Sequence, residues 1–204
     1  YNKMVINMYI GILLRKQVVD DRLKYTLNGE IVNMLIAKGC IPIGINTIDS
    51  IKLCDGIILQ GGSDYDLEDI NFVQYLYDYD IPTLGICLGM QMMSVMKNGK
   101  IDFINSNTHN FNDEYVHVVK IKKNTKLYQI LNKDYILVNS RHLETIVSTD
   151  LDISAISTDG LIEAVEDKNK RFFLGVQWHP ESLIDKDIYS NLLIDAFLNN
   201  CNKK

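Results

Sequence analysis

A thiol, an imidazole and a carboxylate stand out by their settings. Cys87 lies within Gly85-Ile86-Cys87-Leu88-Gly89, a G-x-nucleophile-x-G pattern whose small flanking residues permit the sharp strand-to-helix turn of a nucleophile elbow. Such a turn sets the thiol at a helix N-terminus, where unpaired N–H groups and the helix dipole favour the thiolate. It also leaves the N–H of Leu88 aimed at a developing oxyanion. His179 and Glu181 close the run Gly175-Val176-Gln177-Trp178-His179-Pro180-Glu181. Two residues apart on an extended chain, they face one side, so the imidazole can take a thiol proton while the carboxylate fixes its tautomer. A third run, Gly56-Ile57-Ile58-Leu59-Gln60-Gly61-Gly62, brings paired glycines to a strand end. There the backbone N–H of Gly62, or alternatively Gly61, can come close to a reacting carbonyl as a second oxyanion donor.

Taken singly, each run has an ordinary explanation: a buried core thiol, a surface His-Glu pair and a Gly-Gly turn. Taken together and in this order, Leu-Gln-Gly-Gly, Gly-Ile-Cys-Leu-Gly-Met-Gln and Gly-Val-Gln-Trp-His-Pro-Glu resemble the class I glutamine amidotransferase superfamily. Val138-Asn139-Ser140-Arg141-His142 and Asp159-Gly160-Leu161-Ile162-Glu163-Ala164 are similar to segments of its γ-glutamyl-γ-aminobutyrate hydrolase, or peptidase C26-like, group. The resemblance implies Cys87 as nucleophile, His179 as general base and acid, and Glu181 as the group orienting His179. It further implies Gly61, Gly62 and Leu88 as oxyanion donors, Gln91 and the backbone around Ser140 and Arg141 as the groups that hold the α-amino and α-carboxylate ends of the glutamyl moiety, and His142 as a residue lining the site. This chain has Leu88 where the hydrolase group often has Arg, and His142-Leu143-Glu144 where that group has His-His-Gln. The stretch Ser63 to Ile81 is also shorter than that group's loop and helix, and Asn98-Gly99 stands where the group has Gly-Gly; these changes lie where the leaving amine would sit, so they bear on the leaving group and leave the triad intact.

The elements that must position these residues follow from hydrophobic periodicity. Apolar β-branched runs alternate with helix-period segments through the first half, the pattern of a parallel sheet wrapped by helices. Strands are predicted over 9–14, 41–45, 56–59 and 83–86, and helices over 28–38, 67–79 and 88–96. The second half shifts to short strands at 116–121, 135–138, 153–157, 161–165 and 172–177, several of them antiparallel through turns such as Asp159-Gly160. A last amphipathic helix spans 185–198. The expected fold is therefore α/β: a mostly parallel central sheet flanked by helices, carrying a nucleophile elbow, plus a small antiparallel β portion in the second half. The resemblance makes this the flavodoxin-like amidotransferase fold, with residues 1–204 as a single domain.

Composition narrows the function classes. At 47% hydrophobic and 23% charged residues over 204 positions, the chain is an ordinary globular one of single-domain size. A formal charge of −5 argues against a nucleic-acid backbone partner, which needs clustered Lys and Arg. The apolar run from Met4 to Leu14, interrupted by Asn7, is far short of the roughly 20 residues that span a bilayer, and reads as a strand with no membrane role. Cys40, Cys54, Cys87 and Cys201 form no C-x-x-C pair and no zinc-like cluster with the four histidines, so a reduced cytoplasmic setting is expected. Cys40, Cys54 and Cys201 are assigned to packing or solvent, His109 and His117 to a loop or strand surface, and no metal or organic cofactor is expected.

The expected activity is hydrolysis of a γ-glutamyl amide through a cysteinyl γ-glutamyl thioester, releasing glutamate and an amine. The substrate partner is a small γ-glutamyl amide or glutamine itself. One alternative is a glutaminase subunit that delivers ammonia to a separate synthetase partner. Another is a catalytically silent regulatory module on the same fold. Exposed apolar positions on the last helix are where a homodimer contact would form.

Overall fold

The computed structural model describes residues 8–104 and 109–201. Its central nine-stranded sheet has two halves. In the first, β4 (Ile41–Ile45), β1 (Tyr9–Leu13), β5 (Gly56–Leu59), β6 (Thr83–Ile86) and β13 (Phe173–Val176) run parallel in that spatial order. In the second, β12 (Ile162–Glu166), β11 (Asp152–Ser157), β8 (His117–Ile121) and β9 (Tyr135–Val138) extend the same sheet by antiparallel pairing. The expected α/β fold with its antiparallel second half is what forms. Residues 4–7 of the N-terminal apolar run lie outside the described residues.

Each buried parallel strand contributes alternate side chains to two cores, as a period of two requires. Ile10 and Ile12, Ile58, Leu84 and Ile86, and Leu174 and Val176 point to one face. That face is covered by α1 (Gly29–Ala37), α5 (Lys126–Leu131) and α6 (Ile188–Cys201). Ile57, Leu59 and Phe173 point to the other, against α3 (Leu67–Asp78) and α4 (Leu88–Met96). Asn28 caps α1 by accepting a hydrogen bond from Glu30 N at 2.8 Å, and Asp66 and Asp69 form a reciprocal capping box at α3, satisfying N–H groups that helix ends leave unpaired.

Several elements escape the sequence pattern. The hairpin β2 (Arg15–Val19) and β3 (Arg22–Thr26) turns at Asp20-Asp21, both with positive φ (51° and 56°). Its turn needs two left-handed residues, yet Asp-Asp is a weaker signal than Asn-Gly, and its strands are largely exposed. The ribbon of β7 (Lys100–Phe103) with β10 (Glu144–Ser148) pairs segments some forty residues apart, which no local period reports. The short helices α2 (Ile48–Ile51) and α5 are likewise absent from the predicted elements. The last helix starts three residues later than its apolar spacing suggests and runs on to Cys201.

Helix α4 lies unusually close to the sheet. Gly85 of β6 pairs in register with Leu59 on one side and Gly175 on the other, and α4 rests on this level. A Cβ on Gly85 would sit 2.8 Å from the backbone of Gly89, and a Cβ on Gly89 would strike the carbonyl of Leu59, with its carbon 2.8 Å away. Real Cβ atoms do not tolerate such approaches, so both positions need glycine for space. Gly89→Ala is expected to lower the unfolding free energy by about 1–3 kcal/mol or more, measured by denaturant titration. Gly29→Ala, where a Cβ would meet nothing within 4 Å, is expected to be neutral or stabilising by up to about 1 kcal/mol.

Candidate active site

The carboxyl ends of β5, β6 and β13 deliver the three sequence motifs to one place. Ligands of open α/β sheets bind at this end, in the crevice outside the carboxyl ends of the strands. Cys87 follows β6 directly and is the N-cap of α4 with φ 52° and ψ −107°, a conformation sparsely populated by any residue with a Cβ. Its N–H donates to Val176 O at 2.8 Å, tying the turn to β13. As the first residue of α4, Leu88 has an N–H with no intrahelical acceptor.

His179 and Glu181 come from the turn after β13. The imidazole Nδ1 lies 2.8 Å from Glu181 Oε1, leaving Nε2 for the thiol of Cys87, which lies within hydrogen-bonding reach of the ring. Both residues are buried. Burial by itself pushes His179 down, but the carboxylate of Glu181 and the sulfur of Cys87 together outweigh it and raise the imidazole from 6.5 to about 10. Glu181 also accepts from Asn28 Nδ2 at 3.3 Å, so the cap of α1 supports the pair.

The glycine loop meets this pair from the β5 side. A Cβ on Gly61 would lie 3.2 Å from His179 Cε1 and 3.6 Å from Cys87 Cβ, and one on Gly62 would lie 3.0 Å from Leu88 Cδ2. Gly61 thus abuts thiol and imidazole, while Gly62 abuts the first residue of α4. Behind the loop the buried guanidinium of Arg15 pairs with Asp69 at 3.1 Å and also donates to the carbonyl of Asp64, anchoring the exposed hairpin and the N-terminus of α3 to the loop's flank.

A groove of about 380 Å³ opens beside the thiol, lined among others by Gly62, Ser63, Cys87, Gln91, Arg141 and His142. That volume suits a ligand of amino-acid size. Gln91 and His142 therefore reach the groove as expected, though Gln91 is also engaged, donating to Gln177 Oε1 at 3.4 Å and Glu144 O at 3.3 Å. Arg141 lies at the groove with its guanidinium turned to Ser182 Oγ at 2.6 Å. Ser140 lines no part of it: the residue is fully buried and its hydroxyl donates to His109 O at 2.7 Å.

Sequence reasoning misses three supporting amides. Gln177 Nε2 approaches Cys87 Sγ at 3.5 Å. Asn139 clamps the backbone of His179 from both sides, donating to His179 O at 2.9 Å and accepting from His179 N at 2.7 Å. Gln60 accepts from Asn28 N at 2.7 Å and donates to Leu13 O and Thr26 O at 2.8 and 3.0 Å. All three stand inside or next to the motifs, but only contacts across the fold give them work.

The histidines other than His179 require a correction. The sequence pattern puts His109 and His117 on a surface loop or strand; instead His109 is 1% exposed and its ring centroid lies 4.4 Å from that of His117 and 5.0 Å from that of His142. Residues 109–111 pair with 140–142, Phe111 N donating to Ser140 O at 3.0 Å and His142 N to His109 O at 2.9 Å, a contact that a local reading of polar residues does not reveal. Burial drives His142 down to about 4, with a smaller opposing pull from the Glu144 carbonyl, so it is neutral at physiological pH. Cys40, Cys54 and Cys201 are buried in the cores, in line with a packing role.

With this geometry in place, the strand-elbow-helix unit, the glycine loop and the His-Glu turn on a shared α/β sheet are those of the class I glutamine amidotransferase superfamily. The peptidase C26 family profile matches residues 63–181, more than half of the chain. A glutamine amidotransferase of Schizosaccharomyces pombe is 32% identical over 203 residues, covering 82% of this chain and 79% of that protein. The GMP synthase of Dictyostelium discoideum is 29% identical across 88% of this chain, which spans 26% of that longer protein. Among solved structures, a GMP synthase subunit of Thermoplasma acidophilum superposes with a TM-score of 0.73 at 20% identity, covering 96% of this chain and 94% of its own. The chain belongs to the peptidase C26 family. Among the described residues no helix is long and apolar enough to cross a membrane.

The raised His179 ties stability to pH in a definite direction. A group whose folded value exceeds its unfolded one contributes stability fully present below about pH 6.5 and lost as pH rises through about 10. Glu181→Gln removes the charge that raises it, so the destabilisation relative to wild type is expected to be larger at pH 6 than at pH 10 in paired denaturation curves. A difference that stays flat or grows with pH would mean that the pair carries no net charge interaction.

Proposed function

We propose that the protein hydrolyses a γ-glutamyl amide bond through an acyl-enzyme on Cys87. The observation that carries this reading is the convergence of the strained Cys87 elbow, the Glu181-held His179 and the Gly61-Gly62 loop at one groove. Family membership supports glutamine-amide chemistry at this site, and the groove's size supports a glutamyl substrate.

The steps follow from the geometry. Cys87, as thiolate, attacks the side-chain carbonyl carbon of the substrate amide, and the C–S bond forms as the carbonyl oxygen takes the negative charge. Backbone N–H groups of Leu88 and of the Gly61-Gly62 loop stabilise that oxyanion. His179, protonated at neutral pH because of its partners, gives its Nε2 proton to the departing nitrogen, and the C–N bond breaks. The resulting thioester is cleaved by a water whose proton passes to His179, releasing glutamate and regenerating the thiolate–imidazolium pair. Glu181 holds Nδ1–H throughout, and Asn139 fixes the backbone from which the ring projects. Neither group needs to move during the cycle.

A second reading is favoured by the likeness to a GMP synthase across most of this chain: the same thioester chemistry would then supply ammonia to a separate synthetase. Leu88, in place of the arginine frequent in the hydrolase group, points the same way. Purified protein assayed by glutamate release on γ-glutamyl amines and on glutamine separates the two. Strong turnover of γ-glutamyl amines without any partner supports the stand-alone hydrolase, whereas turnover of glutamine that appears only on adding a synthetase assigns the ammonia-delivering role. In either case Cys87→Ala is expected to reduce glutamate release by at least about 10⁴-fold, and Glu181→Ala by about 10²- to 10⁴-fold. Unchanged activity in Cys87→Ala removes the mechanism.

A further inference from the structure

Three of the four histidines lie outside the thiol–imidazole pair, and they surround one carboxylate. Glu163, on β12, is fully buried. Its Oε1 stands 3.1 Å from His117 Nε2, 3.5 Å from His109 Nδ1 and 3.9 Å from His142 Nε2. None of these approaches is closed by a well-aligned hydrogen bond. Both oxygens of Glu163, both ring nitrogens of His117 and Nε2 of His142 lack a hydrogen-bond partner among the described residues. Buried polar groups are normally paired, and a cluster of orphans calls for a missing member.

The tautomers say what that member is. His142 Nδ1 lies 2.9 Å from the carbonyl of Glu144; a carbonyl only accepts, so Nδ1 carries a proton and that bond holds the ring with Nε2 toward Glu163. His109 Nε2 lies 2.9 Å from the carboxylate of Asp159, which places its proton there and leaves a lone pair on Nδ1. The hydroxyl of Ser140 cannot supply a proton to that Nδ1, because it donates to His109 O. Ring nitrogens of His109 and His117 therefore face one buried carboxylate oxygen, a donor set suited to a metal cation.

We propose that His109, His117 and Glu163 bind a divalent transition-metal ion of the zinc class, with water in the fourth position. One donor atom from each of the three residues lies within 4.8 Å of the other two. The separations of 3.1 and 3.5 Å from Glu163 Oε1 to His117 Nε2 and His109 Nδ1 bracket the roughly 3.3 Å edge of a tetrahedron with Zn–N and Zn–O bonds of about 2.0–2.1 Å. Imidazole and carboxylate donors suit zinc, cobalt or iron over magnesium or calcium. An outer partner is also in place: Asp159 orients His109 at 2.9 Å, as carboxylates do behind metal-bound histidines. A cavity of about 510 Å³ lined by His109, His117 and Asp159 gives an ion a path from solvent.

The ion would tie β8 and β12 to His109, whose carbonyl accepts from His142 N at 2.9 Å beside the groove. The spacing 109, 117 and 163 contains none of the compact His-x-x-x-His or Cys-x-x-Cys patterns by which metal sites are read from sequence, which is why the residue pattern alone yields no ligand set.

Chelator-treated full-length protein titrated with Zn²⁺ and separately with Co²⁺ tests this, with metal content, Co²⁺ ligand-field absorption and Tm as readouts. The expected result is one ion per chain, Co²⁺ bands of tetrahedral type and a raised Tm. Cys87→Ser, which removes the thiol beside the groove, should bind equally well. His117→Asn and Glu163→Gln should lose the bands, and Asp159→Asn should weaken binding by about 10- to 100-fold. Should a variant fail to fold, the wild-type and Cys87→Ser titrations still decide. No stoichiometric binding to folded wild-type protein would mean that protons alone close the cluster, and would overturn the proposal. So would bands that vanish in Cys87→Ser but persist in His117→Asn.

Discussion

The strained backbone of Cys87 is the constraint on which the rest of the structure depends. A residue at φ 52° and ψ −107° stays there only if its surroundings over-determine it. They do so from three directions. The N–H is bonded to β13, the helix that follows is pressed onto the sheet through Gly85 and Gly89, and the methionines of α4 fill the core behind it. The consequence is a sulfur held at the end of the central strands by its backbone, facing the imidazole and the groove. A buried core thiol, the ordinary fate of such a residue, would need none of this.

The second half of the sheet explains how a histidine from far along the chain reaches that sulfur. β13 inserts between β6 and β12, so the residues after it emerge beside the elbow. Asn139, from the turn after the outermost strand β9, then fixes the backbone of His179 through both its donor and its acceptor. Glu181 is held in turn by the 3-10 turn Pro180–Ser182 and by Asn28. The charge on His179 is thus set by fixed neighbours rather than by solvent. This is preorganisation in the electrostatic sense: the groups that meet developing charge are already oriented before substrate arrives.

Much of this is legible in the residues. The parallel half is readable because its strands are short apolar β-branched runs cut off by Gly and Pro, and the elbow because glycine on both sides of a cysteine has a steric meaning. The candidate site is legible as three motifs in order, and the structure brings Cys87, His179, Glu181, Gly61, Gly62 and Leu88 together. What stays hidden depends on contacts distant in sequence. Gln177 and Asn139 are visible only as letters of motifs, the β7–β10 ribbon joins segments with no shared period, and the grouping of His109, His117 and His142 around Glu163 depends on residues 109–111 pairing with 140–142. Ser140 is a motif residue whose hydroxyl is used inside the fold, donating to His109 O at 2.7 Å.

The account's central claim is that the Cys87 sulfur becomes acylated by the glutamyl group. A diazoketone analogue of glutamine presents the same α-amino acid end and alkylates the nucleophile that would attack the amide carbon. Peptide mapping by mass spectrometry after incubation should show a single adduct on Cys87, formed more slowly when glutamine or a γ-glutamyl amide competes. Protein that takes up no label, or takes it up at Cys40, Cys54 or Cys201 without competition by substrate, would contradict the account.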